Sequence, residues 1–378
     1  MSDPRPDAGQ LLHSLIFEVT QRCNHACLHC YNVWHPDADG RPSDYPRGEL
    51  DTARTLALLD RALGQVRCDH VTLTGGEPLL RADLCPILDW LSERGVRSTV
   101  ISNGRLLGEP TVVELLGRGV GMFELPLLSH RRQVHDRLSG APGAFDGVLA
   151  AMAHIRYHRG QFVAVFVLTR LNLADLYQAI RLAFAFGARG VMLNRFNPGG
   201  RGRAHLEELL PTAAEVRQAL AVADTASAEF GLPISCSIAL QPCLIDLDAY
   251  PHLHFGFCAA GTERAYYTLD PLGNLRPCNH TPTILGNLFD EPFADLIAPA
   301  RLASFVQAVP AFCAPCALRA TCQGGCKASA QVCYGSLVAE EPFLRHNLGQ
   351  AVPLEDLNAE MQRRKGTQSS IRANPFHQ

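Results

Sequence analysis

From Leu15 to about Leu210, short apolar runs rich in β-branched and aromatic residues alternate with longer amphipathic stretches. The apolar runs at 15–20, 70–74, 98–102, 122–128, 162–169 and 191–196 read as strands buried on both faces. Their β-branched and aromatic content, with glycine-rich exits, favours buried parallel strands. Between them apolar positions recur every three or four residues, the period of a helix with one buried face. Leu56, Leu59, Leu63 and Val66 form the first stripe; Leu84, Ile87, Leu88 and Leu91 form the second, which Gly95 stops. Pro110 suits the first helical turn ahead of Val113 and Leu116. Phe145, Val148, Leu149, Met152 and Ile155 make a fourth stripe. Asn172 is placed to cap a fifth, carrying Leu176, Ile180 and Phe184. Thr212-Ala213-Ala214-Glu215 is a capping-box pattern that opens a sixth.

Six strand–helix repeats predict a parallel sheet with helices outside it. Six units are too few for a closed eight-stranded barrel. The pattern alone leaves an open partial barrel and a flat doubly wound sheet as equal solutions. After Leu232-Pro233 the alternation stops and cysteines return, so a boundary is expected there. The expected division is a flexible N-terminus at 1–10, the α/β domain at 11–232, a cysteine-rich domain at 233–347 and a polar tail at 348–378. Within the third part, residues 266–274 read as a β-hairpin turning at 271–274, which presents Cys278.

Composition narrows the setting. A net charge of −3 over 378 residues leaves no basic excess for nucleic acid. The first ten residues lack the charged-then-apolar layout of a signal peptide. No apolar run approaches a membrane span. A cytoplasmic protein with neither nucleic acid nor membrane as partner is expected. Thiols stay reduced there, so 14 cysteines point to metal or catalytic sites rather than disulfides. They fall in two fields, 23–30 and about 243–333, with Cys68 and Cys85 alone on apolar segments as small core residues.

Cys23, Cys27 and Cys30 form a C-x3-C-x2-C run directly after the first strand. Parallel βα folds gather functional groups at such strand ends. Three thiolates seat three irons of a [4Fe–4S] cluster, which usually takes four, so one iron stays open. Taken alone, the run also fits a zinc knuckle with His25 or His29 as fourth ligand. The second strand exits into Gly75-Gly76-Glu77-Pro78, where paired glycines allow close backbone approach to a ligand and the carboxylate can accept from an ammonium. An ordinary glycine-rich turn reads the same way. Ser102-Asn103-Gly104 ends the third strand. Arg170 and Asn172 follow the fifth, and Asn194 and Arg195 end the sixth. An arginine at such a position either grips a carboxylate through two bonds or is a solvated rim charge. The second field reads Cys258, Gly273, Cys278, then Cys313, Cys316, Cys322, Cys326 and Cys333. These seven thiols make two four-ligand sites if an eighth joins; Cys243 is the nearest candidate and Cys236 the second. Two structural zinc sites are the alternative.

The run at 23–30 resembles the signature of the radical S-adenosylmethionine (radical SAM) enzymes. Gly75-Gly76-Glu77-Pro78 matches that family's motif for the methionyl amino group. Ser102 and Asn103 resemble the polar segment that touches the methionine carboxylate or ribose, and His29 holds the position that lies by the adenine in relatives. Arg170 joins these as a cofactor-binding candidate. His135-Asp136, Gly140 and Phe145-Asp146 also fit the pattern. Many relatives carry Ser-Leu-Asp-Gly in the fourth strand; here Glu124-Leu125-Pro126-Leu127 stands there, so Glu124 is the candidate catalytic replacement. The second field resembles the family's SPASM extension. Carried over by position, Cys258, Cys278 and Cys326 with Cys243 hold one auxiliary cluster, and Cys313, Cys316, Cys322 and Cys333 the other.

The resemblance implies a partial (β/α)6 TIM-like barrel followed by a small SPASM domain with a β-hairpin. It implies a [4Fe–4S] cluster whose open iron binds S-adenosylmethionine, two auxiliary [4Fe–4S] clusters, and an electron donor such as flavodoxin or ferredoxin. One-electron cleavage then gives a 5′-deoxyadenosyl radical that takes a hydrogen atom from substrate. Relatives mostly modify ribosomally made peptides, so a peptide maturase is the expected function. With only about ten residues before the first strand, a separate peptide-recognition protein is expected too. A small-molecule dehydrogenase or epimerase, acting on a sugar alcohol or an aminoglycoside-like compound, is the second reading. A non-catalytic zinc-binding interaction protein is the third.

Overall fold

The computed structural model describes residues 10–35 and 43–364. Its strands are β1 (Gln10–Leu12), β2 (Leu15–Thr20), β3 (Val66–Cys68), β4 (His70–Gly75), β5 (Arg97–Ile101), β6 (Val120–Pro126), β7 (Phe162–Leu168), β8 (Val191–Arg195), β9 (Ile234–Cys236), β10 (Leu253–Phe255), β11 (Tyr267–Leu269), β12 (Asn274–Arg276) and β13 (Gly286–Asn287). Its helices are α1 (Thr52–Leu63), α2 (Leu84–Glu93), α3 (Glu109–Gly117), α4 (Arg132–Ser139), α5 (Ala144–Tyr157), α6 (Leu176–Ala185), α7 (Leu206–Leu209), α8 (Ala213–Phe230), α9 (Phe293–Leu296), α10 (Pro299–Val306), α11 (Arg319–Cys322), α12 (Lys327–Tyr334), α13 (Pro342–Asn347) and α14 (Leu354–Arg364).

The six long apolar runs are β2, β4, β5, β6, β7 and β8, and they pair in that order, all parallel. One set of their alternating residues, Phe17, Leu73, Val100, Phe123 and Phe166 among them, is buried and joins one core. The sheet stays open, giving a partial barrel. At one edge β8 pairs with β9 and β9 with β10, so parallel pairing runs beyond the boundary expected at 232/233. At the other edge β2 takes β11 in parallel; β11 pairs antiparallel with β12, and β12 antiparallel with β13. The predicted hairpin is therefore also the cap on the barrel's first strand, covering an edge that would otherwise present unpaired amides.

Three local expectations change. Val66 does not extend the first helix: Gly64 ends α1, its N–H returning to Asp60 O at 2.9 Å, and Val66 starts β3 beside β1. Asn172 makes no helix cap. Its Nδ2 donates to Leu128 O (2.7 Å) and Val167 O (2.9 Å), and its Oδ1 accepts from Thr169 N (2.8 Å), so it ties two strand exits together. Cys85 is half-buried near Glu114 rather than in the core, whereas Cys68 is buried. The capping box is present: Thr212 N donates to Glu215 Oε2 at 2.7 Å and Glu215 N to Thr212 Oγ1 at 3.2 Å. Residues 354–364 of the polar tail form α14, and the tail's end lies outside the described residues.

A buried ion pair joins the hairpin to the barrel. Glu18 on β2 meets Arg276 on β12, and both are almost fully buried. Arg276 also donates to Thr281 O at 2.9 Å and faces the Tyr45 ring, whose hydroxyl donates to Asp270 Oδ2 at 2.9 Å. Burial lifts the Glu18 carboxyl to about 7, against the opposing pull of Arg276. A pair this deep adds little net stability, but it is costly to break and so holds one docking register.

Candidate active site

The cysteine loop is clamped from four directions. Gly76 N donates to Thr20 O and Glu77 N to Arg22 O, each at 2.8 Å, so the Gly75-Gly76-Glu77 turn lies directly against the chain entering the loop. A Cβ on Gly75 would run into Thr20 O, and one on Gly76 into Arg22 O. The paired glycines thus allow a close chain-on-chain approach. From the third strand's end, Asn103 Nδ2 donates to Asn24 Oδ1 at 2.7 Å. From the far side of the loop, Asn32 Nδ2 donates to Gly75 O at 2.9 Å. From α4, Leu138 O accepts from Leu28 N at 2.9 Å and Ser139 O from Ala26 N at 3.3 Å. Gly76→Ala is expected to lower unfolding stability by about 1–3 kcal/mol through overpacking and to reduce iron uptake. Urea melts and iron assays beside Gly117→Ala, a glycine with nothing within 4 Å of its Cβ position, check this.

Glu77 is fully buried and already engaged. Its carboxylate accepts from Ser102 Oγ (2.9 Å), Asn103 N (2.8 Å) and Leu79 N (3.2 Å). Burial lifts it to about 7, and those donors act the other way. As placed, it braces the Ser102–Asn103 turn rather than standing free as an acceptor. His29 is held neutral, its imidazole pushed down to about 4 by burial, with Nδ1 buried and unpartnered. Burial raises the Cys30 thiol to about 11 and the Cys27 thiol further.

Two arginines read alike in sequence part company here. Arg170 has its Nε 3.9 Å from Glu215 and its side chain about half exposed, the placement of a solvated rim charge. Arg195 is buried against Glu341, with Nε donating to Ala239 O at 3.1 Å; the carboxylate it grips is the chain's own. Asn194 accepts from Ser237 N at 2.9 Å. His135 and Asp136 are also structural: Leu128 N donates to His135 Nδ1 at 3.2 Å, and Asp136 accepts from Gly143 N and Phe145 N at 2.8 Å.

Glu124 faces the interior from β6, half-buried, with no hydrogen-bond or ion-pair partner among the described residues. Burial alone lifts it to about 7. Tyr31, directly after Cys30, lies in the same interior. Its hydroxyl accepts from Asn279 Nδ2 at 2.8 Å and its ring lies 4.1 Å from the His280 ring. Asn279 and His280 directly follow Cys278, so the two cysteine fields touch through these three side chains. Sequence reading missed all three, because their meaning lies in a contact between positions about 250 residues apart.

The second field sorts into two groups, and the sorting differs from the one carried over by position. Cys243, Cys313, Cys316 and Cys322 line one cavity with apolar walls from Phe312, Leu344 and Leu357. Cys258, Cys278 and Cys326 pack together on Ala260, Phe305 and Ala328. Asn197 Nδ2 donates to Cys326 Sγ at 3.3 Å, and Tyr266 lies beside all three thiols. Cys333, on α12, faces Pro198 O and the Cys326 side instead of Cys313. Cys243 therefore joins the Cys313 group. It is set there by Gln241, whose Nε2 donates to Glu341, and by its own carbonyl, which accepts from Val352 N at 2.8 Å. Cys236 stands apart on β9, its thiol raised to about 12 by burial alone. Among the described residues no three His, Cys, Asp or Glu side chains converge closely enough for a single ion, where zinc needs sulfur at about 2.3 Å.

The site is an open parallel barrel with three thiols at its first strand exit, followed by a cysteine-rich extension. Residues 17–183 match the model of the Radical SAM superfamily. An AdoMet-dependent heme synthase of Methanosarcina barkeri is 25% identical over 89% of this chain and 97% of its own length. A PqqA peptide cyclase of Methylocella silvestris is 25% identical over 87% of this chain and 86% of its own. Streptococcus suis SuiB, solved with S-adenosylmethionine, overlays with a TM-score of 0.67 at 16% identity, covering 88% of this chain and 76% of that one. Residues 17–183 are therefore a radical SAM domain, and the cysteine-rich part that follows shares the fold of SuiB. That class implies a [4Fe–4S] cluster and S-adenosylmethionine, and the clamped loop carrying Cys23, Cys27 and Cys30 fits the cluster.

Proposed function

We propose that this chain is a radical SAM enzyme that modifies a ribosomally made peptide, with Cys23, Cys27 and Cys30 holding the S-adenosylmethionine cluster. The peptide reading rests on the match to a PqqA peptide cyclase over 87% of this chain and on the fold shared with SuiB, which has been solved with its precursor peptide SuiA. When bound, the cluster and S-adenosylmethionine supply a radical that takes hydrogen from substrate. The chain's own residues prepare the place. Glu77 fixes the Ser102–Asn103 turn, Asn103 and Asn32 hold the cysteine loop, and the buried barrel interior excludes water. Glu124 is the proton acceptor for a substrate whose C–H bond has been broken.

Two auxiliary [4Fe–4S] clusters complete the proposal, one on Cys243, Cys313, Cys316 and Cys322, the other on Cys258, Cys278 and Cys326 with Cys333 as the nearest remaining thiol. The contact of Tyr31 with Asn279 and His280 gives the latter a short route for an electron leaving the substrate. A flavodoxin or ferredoxin as reductant, a separate peptide-recognition protein and a cytoplasmic setting belong to the same proposal. Among the described residues no helix is long and apolar enough to cross a membrane.

A small-molecule substrate is favoured by one observation: heme synthases match this chain over nearly their whole length. The two readings separate in one assay. Reconstituted protein, S-adenosylmethionine and dithionite are combined with either a tetrapyrrole or any short precursor peptide found encoded beside this gene. 5′-Deoxyadenosine formed in step with a peptide that loses hydrogen atoms supports the maturase; formation in step with tetrapyrrole turnover alone replaces it. Because Glu124 titrates at about 7, turnover is expected to rise as pH passes that value, since the ionised carboxylate is the acceptor. Glu124→Gln should abolish the rise, which a pH–rate profile reads directly.

A further inference from the structure

Arg201 lies in the connection from β8, within the short helical turn Gly200–His205. That turn is pressed onto the cysteine loop. Gly202 N donates to Cys30 O at 2.9 Å. Gly200 has φ +43° and leaves no room for a Cβ beneath Asn32 O and Cys30 O, while Gly199 packs on Tyr31. The glycines on both sides of Arg201 therefore hold its backbone close to the third cysteine. Its guanidinium has no carboxylate partner among the described residues, and its Nη1 is buried without any hydrogen-bond partner. An arginine Nη left dry and unpaired is costly, so the position calls for an acceptor that arrives with the cofactor. Arg201 is near enough to act electrostatically on all three of Cys23, Cys27 and Cys30, and the Glu77 carboxylate is the opposing charge beside Cys23.

We propose that Arg201 is the cation that sets the reduction potential of the cluster held by Cys23, Cys27 and Cys30, with Nη1 as a donor toward its sulfurs. The inference rests on the reading of that loop as a cluster site. Net charge and hydrogen bonds to sulfur are the protein's main controls on such potentials. A fixed positive charge favours the form that has gained one electron. Removing it makes the cluster harder to reduce.

The test is an anaerobic redox titration of the reconstituted full chain with dithionite, followed by electron paramagnetic resonance. Wild type, Arg201→Gln and Arg201→Lys are compared, with iron content measured on each. Arg201→Gln is expected to keep its iron and shift the first cluster's midpoint to more negative potential, with Arg201→Lys falling between it and wild type. Equal midpoints in wild type and Arg201→Gln would overturn the assignment. Loss of iron in both variants would also overturn it, by making Arg201 a brace for the loop. A wild-type protein that takes up no cluster on Cys23, Cys27 and Cys30 would instead remove the functional reading itself.

Discussion

Cys30→Ala is expected to bring 5′-deoxyadenosine formation to background and to remove about four of about twelve irons, at four per cubane cluster. The reasoning starts from the thiols. Burial holds Cys30 at about 11 and Cys27 higher, so without metal both are protonated near neutrality. Iron must displace those protons, and three thiolates on one clamped loop supply the binding energy that does so. With one removed, two remain, and the loop's clamps from Gly76, Asn103, Asn32 and Leu138 have nothing complete to present. Anaerobic reconstitution, iron and sulfide analysis, and chromatography of the nucleoside product read the result. Eight irons falling to four would leave room for one auxiliary cluster only. Zinc in place of iron in both proteins would end the enzyme reading.

Cys243→Ala and Cys333→Ala are expected to differ sharply. Cys243 shares an apolar cavity with Cys313, Cys316 and Cys322, and burial raises its thiol to about 12. Its alanine variant should lose the same auxiliary signal as Cys316→Ala, with about four fewer irons, and should keep the signal that depends on Cys258 and Cys278. Cys333→Ala should leave the Cys313 group's signal intact, because α12 directs Cys333 toward Pro198 and Cys326. Spectra of the three variants, with iron counts, decide it. If Cys333→Ala and Cys316→Ala erase the same signal while Cys243→Ala spares it, the ligand sorting read by position is restored. Because metal binding and folding are coupled in such domains, a lower thermal midpoint is expected for Cys243→Ala as well.

Much of this protein was legible in its residues. The six barrel strands lie within two residues of the apolar runs at each end, since buried parallel strands draw on β-branched and aromatic residues. The cysteine loop, the Gly75–Glu77 turn and the Ser102–Asn103 turn all meet where parallel strands end. The capping box at Thr212 formed as read, because its partners are three residues apart.

What local pattern left open was settled by contacts between distant positions. Gly75 and Gly76 were found, but their reason is the passage of Thr20 to Arg22 above them, a crossing between separate strands. Arg170 and Arg195 look equivalent as residues after a strand; the carboxylate that buries Arg195 is Glu341, on the far side of the extension. Arg201, Tyr31 and His280 had no motif to mark them. The sorting of Cys243 and Cys333 follows from how α12 and the segment after β9 dock on the barrel. The sequence by itself determined the chemistry available and the local elements that carry it, since spacing and period are properties of neighbours along the chain. Tertiary structure alone decided which thiols line one cavity, which arginine is spent on an internal pair and which has no carboxylate partner among the described residues beside the cysteine loop. Those choices depend on distances between residues that folding, not spacing, brings together.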